Sequence, residues 1–401
     1  MLLSPWRADF PALAALDHEG QVYLDSAATA QKPQAMLEAL QRYYAQGAAN
    51  VHRAQHLPGS RATQAFEGVR QQLADWLKAP QDAEIIFTRG TTEALNLLAY
   101  GLEHLFQPGD EILISALEHH ANLLPWQQLA QRRQARLVIL PLDQSGQLDM
   151  HAAQQLISPR TRLLAVSQLS NVLGGWLPLA ELLPLAKAQG ALTVVDGAQG
   201  IVHSPPDLQA LGCDFYAFSS HKLYGPDGLG VLCARHQALQ WLHHWQFGGE
   251  MLEHTDYQQA RFRAAPLGFE AGTPPIASVI ALGATLDYLQ SLDSHAVNQH
   301  EQALHRQLLE GLQQRPGIQV LGRPQTALAS FIAEGIHAAD LAELLCEQGI
   351  ALRHGSHCAQ PLLQSLGVQQ GALRVSLALY NDGRDLERFF NALDNALELL
   401  R

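Results

Sequence analysis

The sequence predicts an α/β protein in which a large, mostly parallel-sheet domain is joined to a smaller α+β domain. Three observations predict it. Short apolar runs alternate with helical patterns across residues 80–235, as they do where crossover helices connect parallel strands. Polar, glycine-containing motifs follow directly on those runs, and open α/β sheets place their ligands at the carboxyl ends of strands. Beyond residue 285 the alternation gives way to long helical patterns and isolated short strands. The expected division is 15–285 for the large domain and 286–401, joined by 1–14, for the small one.

In chain order the expected strands are Glu84–Phe87, Glu111–Ile114, Arg136–Leu140, Leu163–Val166, Leu192–Val195, Phe215–Phe218 and Gly230–Leu232. Helical periodicity lies between most of them, for instance over Glu93–Leu105 and Leu179–Gln189. The last two strands are separated only by the Ser219–Leu229 loop, too short for a crossover helix, so one of them is expected to run antiparallel. Helices are then expected over Ala277–Ser291, His295–Gln313, Ala339–Gln348 and Asp385–Leu400, with a strand at Ser330–Ala333.

Composition narrows the function classes. The chain has 401 residues, 47% of them hydrophobic, and a formal charge of −12 without a basic run, which argues against nucleic acid and anionic membrane as partners. Pro5, Arg7 and Asp9 interrupt the first residues before a signal-peptide core can form, and no apolar stretch is long enough to span a bilayer. A cytoplasmic location is expected, where thiols stay reduced. Cys213, Cys233, Cys346 and Cys358 are scattered, with no paired-cysteine metal pattern.

Lys222 carries the most chemistry. It lies in Ser219-Ser220-His221-Lys222, just past an apolar run, and Asp196 ends the preceding run. Pyridoxal phosphate chemistry needs this pair: an amine to hold the aldehyde as a Schiff base, and a carboxylate to keep the pyridine nitrogen protonated. Thr88-Arg89-Gly90-Thr91-Thr92 follows a strand and opens a helix. It reads as a phosphate cradle or as a plain capped turn with Thr91 at the N-cap. His119 or His120, after another strand, is placed to stack on a planar ring or to move protons; an ordinary surface histidine is the alternative. Gln199, in Asp196-Gly197-Ala198-Gln199, is placed to hydrogen-bond the phenolic oxygen of such a cofactor.

Cys358 lies in Arg353-His354-Gly355-Ser356-His357-Cys358-Ala359-Gln360-Pro361. Cationic neighbours favour a thiolate, so it is the cysteine placed to act as a nucleophile. An inert loop cysteine, or a metal half-site of His354, His357 and Cys358, is the alternative. Cys233 in a strand, Cys346 on an apolar helix face and Cys213 near a turn read as inert. Arg374, inside the apolar run Ala372–Ser376, needs an anionic partner, either a substrate carboxylate or a structural carboxylate.

Together these segments resemble the group II (SufS/CsdA-like) cysteine desulfurases, in the aminotransferase class V family of fold-type I pyridoxal phosphate enzymes. The resemblance runs through Tyr23–Thr29, Asn50–Arg53, Arg89–Glu93, Glu118–Asn122, Asp196–Gln199, His221-Lys222, Glu270–Pro274 and Arg353–Pro361. It implies that Lys222 holds the cofactor and moves the proton, that Asp196 meets the pyridine nitrogen and Gln199 the phenolic oxygen, and that His119 stacks on the ring. Thr91, Thr92, Ser219 and His221 would hold the phosphate, with Thr273 reaching the phosphate of the other subunit of a homodimer. Arg374 and Asn171 would hold the substrate carboxylate, and His52 and Arg353 would line the pocket. The implied reaction takes sulfur from L-cysteine, giving L-alanine and a persulfide on Cys358. An acceptor of the SufE/CsdE type would receive it for iron–sulfur cluster assembly or other sulfur metabolism. Selenocysteine lyase, another pyridoxal phosphate β-lyase and a non-catalytic sulfur-relay scaffold are the competing readings. Ser356 departs from the usual branch pattern, which carries two adjacent histidines before the cysteine.

Overall fold

The computed structural model describes residues 2–53 and 55–401. Seven strands form the main sheet: β1 (Ala83–Thr88), β2 (Glu111–Ser115), β3 (Arg136–Leu140), β4 (Thr161–Ser167), β5 (Leu192–Asp196), β6 (Phe215–Ser219) and β7 (Gly230–Arg235). Their spatial order is β1-β7-β6-β5-β4-β2-β3. Every pairing is parallel except those of β7, which runs antiparallel to both β1 and β6, as the short loop before it requires.

Successive side chains of a strand point to opposite faces, and here both faces are covered. Phe87, Leu113, Leu164, Val166, Val195 and Phe218 enter one core, while Ile86, Ile112, Ile114, Leu163, Val194 and Phe215 enter the other. Burial on both faces is why these strands read as continuous apolar runs.

A second, antiparallel sheet contains β8 (Ile318–Val320), β9 (Leu328–Ala333), β10 (Arg353–Gly355) and β11 (Ala372–Ser376), in the order β8-β9-β11-β10. The helices Ser294–Gln313, Ala338–Glu347 and Gly383–Leu400 share one apolar cluster with it. The segment after the helix Pro11–His18 belongs beside this sheet. Val22 and Tyr23 pair with Ile350 and Ala351, and Asp25 bridges to Ser376. Residue 285 falls inside the single helix Ile276–Ser291.

Candidate active site

The carboxyl ends of β4, β5 and β6 open on a cavity of about 280 Å³ between the two sheets. Lys222, Asp196, Gln199, His119, Thr91, Thr92, Ser219, His221, Asn171, Arg353, Cys358 and Arg374 all line it.

Asp196 ends β5, opposite Ser167 of β4 and Ala217 of β6. Its carboxylate is buried and accepts one hydrogen bond, from Ala198 N at 2.9 Å. Burial raises its pKa, with that N–H and Lys222 pulling the other way. The chain leaves Asp196 by Gly197, where a Cβ would stand 2.0 Å from the Tyr216 ring, so only glycine fits. Lys222 closes a 3-10 turn after β6. Three groups of the N-terminal segment hold the carbonyl of the preceding residue, His221. They are Ala30 N (3.0 Å), Lys32 Nζ (3.0 Å) and Thr29 Oγ1 (3.4 Å). Burial of the amine lowers the Lys222 pKa, with the Asp196 carboxylate opposing.

The threonine motif differs from its sequence reading in one respect. The N-cap of the Thr91–Gly101 helix is Gly90, not Thr91, because the chain turns there at φ 153°, within the region that favours glycine. Gly230 packs on it, so closely that a Cβ would lie 2.4 Å from Gly90 Cα. Thr91 is then free to meet Ser219 Oγ through both its N–H (2.8 Å) and its hydroxyl (2.7 Å). Hydroxyls and helix-start N–H groups thus gather at one end of the cavity, as anion sites do.

His119 accepts a hydrogen bond from Ala121 N at Nδ1 (3.0 Å). Burial, reinforced by Lys222, lowers its pKa to about 3, so the ring is neutral where it lines the cavity. Glu118 anchors this turn. Its buried carboxylate accepts from Ser115 Oγ, Ser167 Oγ, Ser167 N (3.0 Å) and Asn122 Nδ2 (2.6 Å). Desolvation pushes its pKa up to about 7 against those four donors.

At the mouth, β10 leads into Cys358. Arg353 and Arg374 are register partners on β10 and β11, and like charges directly opposite repel. Asp25 lies between them, 3.0 Å from Arg353 Nη2 and 3.2 Å from Arg374 Nη2. Sequence reasoning missed Asp25, although it stands in the quoted Tyr23–Thr29 segment. Arg374 also donates to Asn171 O at 3.0 Å, and its buried Nε has no acceptor among the described residues. The Asn171 amide donates to His357 O at 2.8 Å.

Cys358 is exposed. It shares the cavity lining with Lys222, Arg353 and Arg374. His357 does not supply the cationic help expected of it. His357 is buried with its pKa lowered to about 3 by desolvation, and its Nε2 donates to Ala372 O at 3.0 Å. His354 lines a separate cavity with His337, whereas His357 and Cys358 line this one. His357 and Cys358 have φ of 50° and 55°, a left-handed conformation costing about 1–2 kcal/mol per residue. Burial raises Cys213 and Cys233 to about 12. Cys346 is exposed rather than on an apolar face.

Two expected site residues, one of them assigned by the resemblance to the site of a second subunit, do not line this cavity. His52 is held by Glu67 (2.8 Å) and by Thr63, beside the Leu57–Trp76 helix. Thr273 is exposed and does not line this cavity.

Comparison with known proteins agrees with this architecture. The family model described as aminotransferase class-V matches residues 22–389. A probable cysteine desulfurase of Pseudomonas putida is 69% identical over 398 residues, 99% of either chain. The crystal structure of the Escherichia coli cysteine desulfurase CsdA matches with a TM-score of 0.92 at 44% identity, covering 99% of this chain and 98% of that one. The apo structure of a cysteine desulfurase from Thermococcus onnurineus matches with a TM-score of 0.93 at 34% identity, covering 100% of each. With a family match across most of its length and relatives this close, the chain belongs to the class-V aminotransferase family, among the cysteine desulfurases.

Proposed function

We propose that this protein removes sulfur from L-cysteine with pyridoxal 5′-phosphate as cofactor, giving L-alanine and a persulfide on Cys358 that an acceptor protein of the SufE/CsdE type collects. The observation that carries the reading is the meeting of Lys222, Asp196 and Cys358 in one cavity. The residues fit the cofactor. A buried carboxylate with a single N–H donor, Asp196, calls for a further donor such as a protonated pyridine nitrogen. Thr91, Thr92, Ser219 and His221 offer the donors for a phosphate, the Gln199 amide one for a phenolic oxygen, and His119 a neutral ring to stack.

When bound, the cofactor supplies an electron sink for the substrate's α-carbon. Lys222, whose pKa burial lowers, is the base that takes the α-proton and returns it. Arg374, with its free buried Nε–H, holds the substrate carboxylate, and Asn171 and Arg353 border it. Cys358 Sγ attacks the substrate sulfur. The S–S bond forms as Cβ–S breaks, the electron pair leaves with carbon, and protonation of that carbon gives the methyl group of alanine.

Thr273, exposed and outside its own cavity, suits a role in the site of a second copy in a homodimer. The four unpaired thiols support a cytoplasmic setting, and no helix among the described residues is long and apolar enough to cross a membrane. The fate of the sulfur in this reading is iron–sulfur cluster assembly or another sulfur acceptor.

The test is release of alanine and sulfide from L-cysteine with a reductant, for the wild type and Cys358→Ala. Both products are expected from the wild type and neither from the variant. Equal release from the two proteins would remove the persulfide step and leave a pyridoxal phosphate β-lyase.

A further inference from the structure

The loop that carries Cys358 is held from outside itself, and His120 grips it twice. The His120 N–H donates to Cys358 O at 2.6 Å, and His120 Nε2 accepts from Gln360 N at 3.2 Å. The two contacts fall on either side of Ala359. Gln360 is the first residue of the Gln360–Ser365 helix, so its N–H has no intrahelical acceptor. The imidazole nitrogen supplies one. Asn171 adds a third fastening through His357 O at 2.8 Å.

External fastening matters because His357 and Cys358 are consecutive non-glycine residues with left-handed backbones. A free loop leaves that conformation, and one that keeps it is constrained by its surroundings. His120 also belongs to a turn that is itself tied to the sheet. Glu118 is tied to β4 through Ser167 and to Asn122 by the hydrogen bonds of its carboxylate, and His119 lines the cavity. Three consecutive residues thus reach into the sheet, the cavity and the nucleophile loop in turn.

We infer that His120 is a positioning residue: its Nε2 latches the Cys358 loop so that Sγ is held at the cavity mouth facing Lys222, Arg353 and Arg374. The inference rests on the reading of Cys358 as the nucleophile. It assigns His120 a role apart from that of the neighbouring His119, because His120 touches the loop and not the reacting atoms. Losing the acceptor leaves Gln360 N–H unpaired, frees the start of its helix, and lets the strained pair relax away from the cavity.

Three proteins test it: wild type, His120→Ala, and His120→Gln, whose side-chain oxygen restores an acceptor at about the reach of Nε2. The first readout is the rate of Cys358 alkylation by iodoacetamide, resolved by mass spectrometry and scaled to exposed Cys346 in the same chain. In His120→Ala this ratio is expected to rise severalfold as the loop is released. The second readout is alanine formation from L-cysteine. There kcat is expected to fall on the order of ten- to a hundredfold, as for a misplaced reacting group, with KM within about twofold of wild type. His120→Gln should recover most of both effects.

An unchanged alkylation ratio in His120→Ala, or His120→Gln behaving like His120→Ala, would overturn the latch. Because alkylation does not depend on turnover, it separates failure of the latch from failure of the desulfuration reading. If His120→Ala does not fold, hydrogen exchange at the Gln360 amide of the wild type decides. Protection is expected, and exchange at the rate of an open loop would count against the proposal.

Discussion

Asp25 holds two arginines that sheet register forces together, and under the proposed reading its effect falls on binding rather than on the reacting atoms. Arg374 is only 3% exposed, so its charge needs a partner in a poorly solvated place. Burial lowers its pKa, and the Asp25 carboxylate is the strongest influence opposing that. Asp25→Asn keeps the shape and removes the charge, which should let both guanidinium groups drift from the substrate carboxylate. The KM for L-cysteine is expected to rise about tenfold, the equivalent of one misplaced charge-assisted hydrogen bond, with kcat changing less. Steady-state kinetics of the variant at saturating cofactor checks this; an unchanged KM would count against it. The meeting of Lys222, Asp196 and Cys358 in one cavity was legible in the sequence because the chemistry proposed for them depends on residue type and place along the chain. Asp25 was not, since its task exists only once Arg353 and Arg374 lie opposite each other. His52, read as a pocket residue, is instead bound to Glu67, a pairing across one helix that the motif alone does not reveal.

The edge of the main sheet has its own device. β1 is an edge strand, and such strands expose unpaired N–H and C=O groups. Here Arg70 donates to Ile85 O at 2.6 Å and Glu270 accepts from Phe87 N at 2.7 Å. The two side chains also pair through both Arg70 terminal nitrogens, at 2.7 and 3.0 Å. Glu270→Ala therefore strips a buried guanidinium of its main partner and leaves Phe87 N–H unpaired. A loss of about 3–5 kcal/mol is expected, to be read from the midpoint of denaturant unfolding. A shift below about 1 kcal/mol would mean that Glu67, also bonded to Arg70, suffices alone. The strands of this sheet were easy to place because burial on both faces makes them apolar throughout. The helices Gln34–Ala45 and Leu57–Trp76 and the hairpin Leu252–Thr255 with Ala260–Phe262 were not assigned. The long helix opens on Leu57-Pro58-Gly59, which reads as a breaker, and the hairpin strands are mostly exposed, so no alternation marks them. The N-cap moved from Thr91 to Gly90 because the close approach of Gly230 selects the turn.

Across the whole molecule, stability should fall in acid. Burial lowers the pKa of His119 to about 3, His221 to about 4 and His357 to about 3, whereas an unfolded histidine takes its proton near 6.5. Below that pH the unfolded chain binds more protons, so the contribution of these groups is present above about 6.5 and is lost as pH falls toward their folded values. Glu118 acts oppositely: pushed up to about 7, it favours the folded state while protonated, and that contribution is lost as pH rises through its folded value. Three groups outweigh one, and the melting temperature from calorimetry is expected to drop between pH 7 and pH 5. A higher melting temperature at pH 5 would show that other carboxylates govern the balance. By itself the sequence determined the α/β class, the antiparallel turn-back within the last pair of main-sheet strands, and the residue types gathered in the cavity. These follow from local properties: periodicity, burial of both strand faces, and the demands of the chemistry on a lysine, a carboxylate and a thiol. Only the tertiary structure decided which side chains meet at the mouth, that Asp25 joins two arginines, that His357 is neutral and that His120 holds the Cys358 loop. Those outcomes depend on register, desolvation and long-range hydrogen bonds, which arise only when distant parts of the chain are packed together.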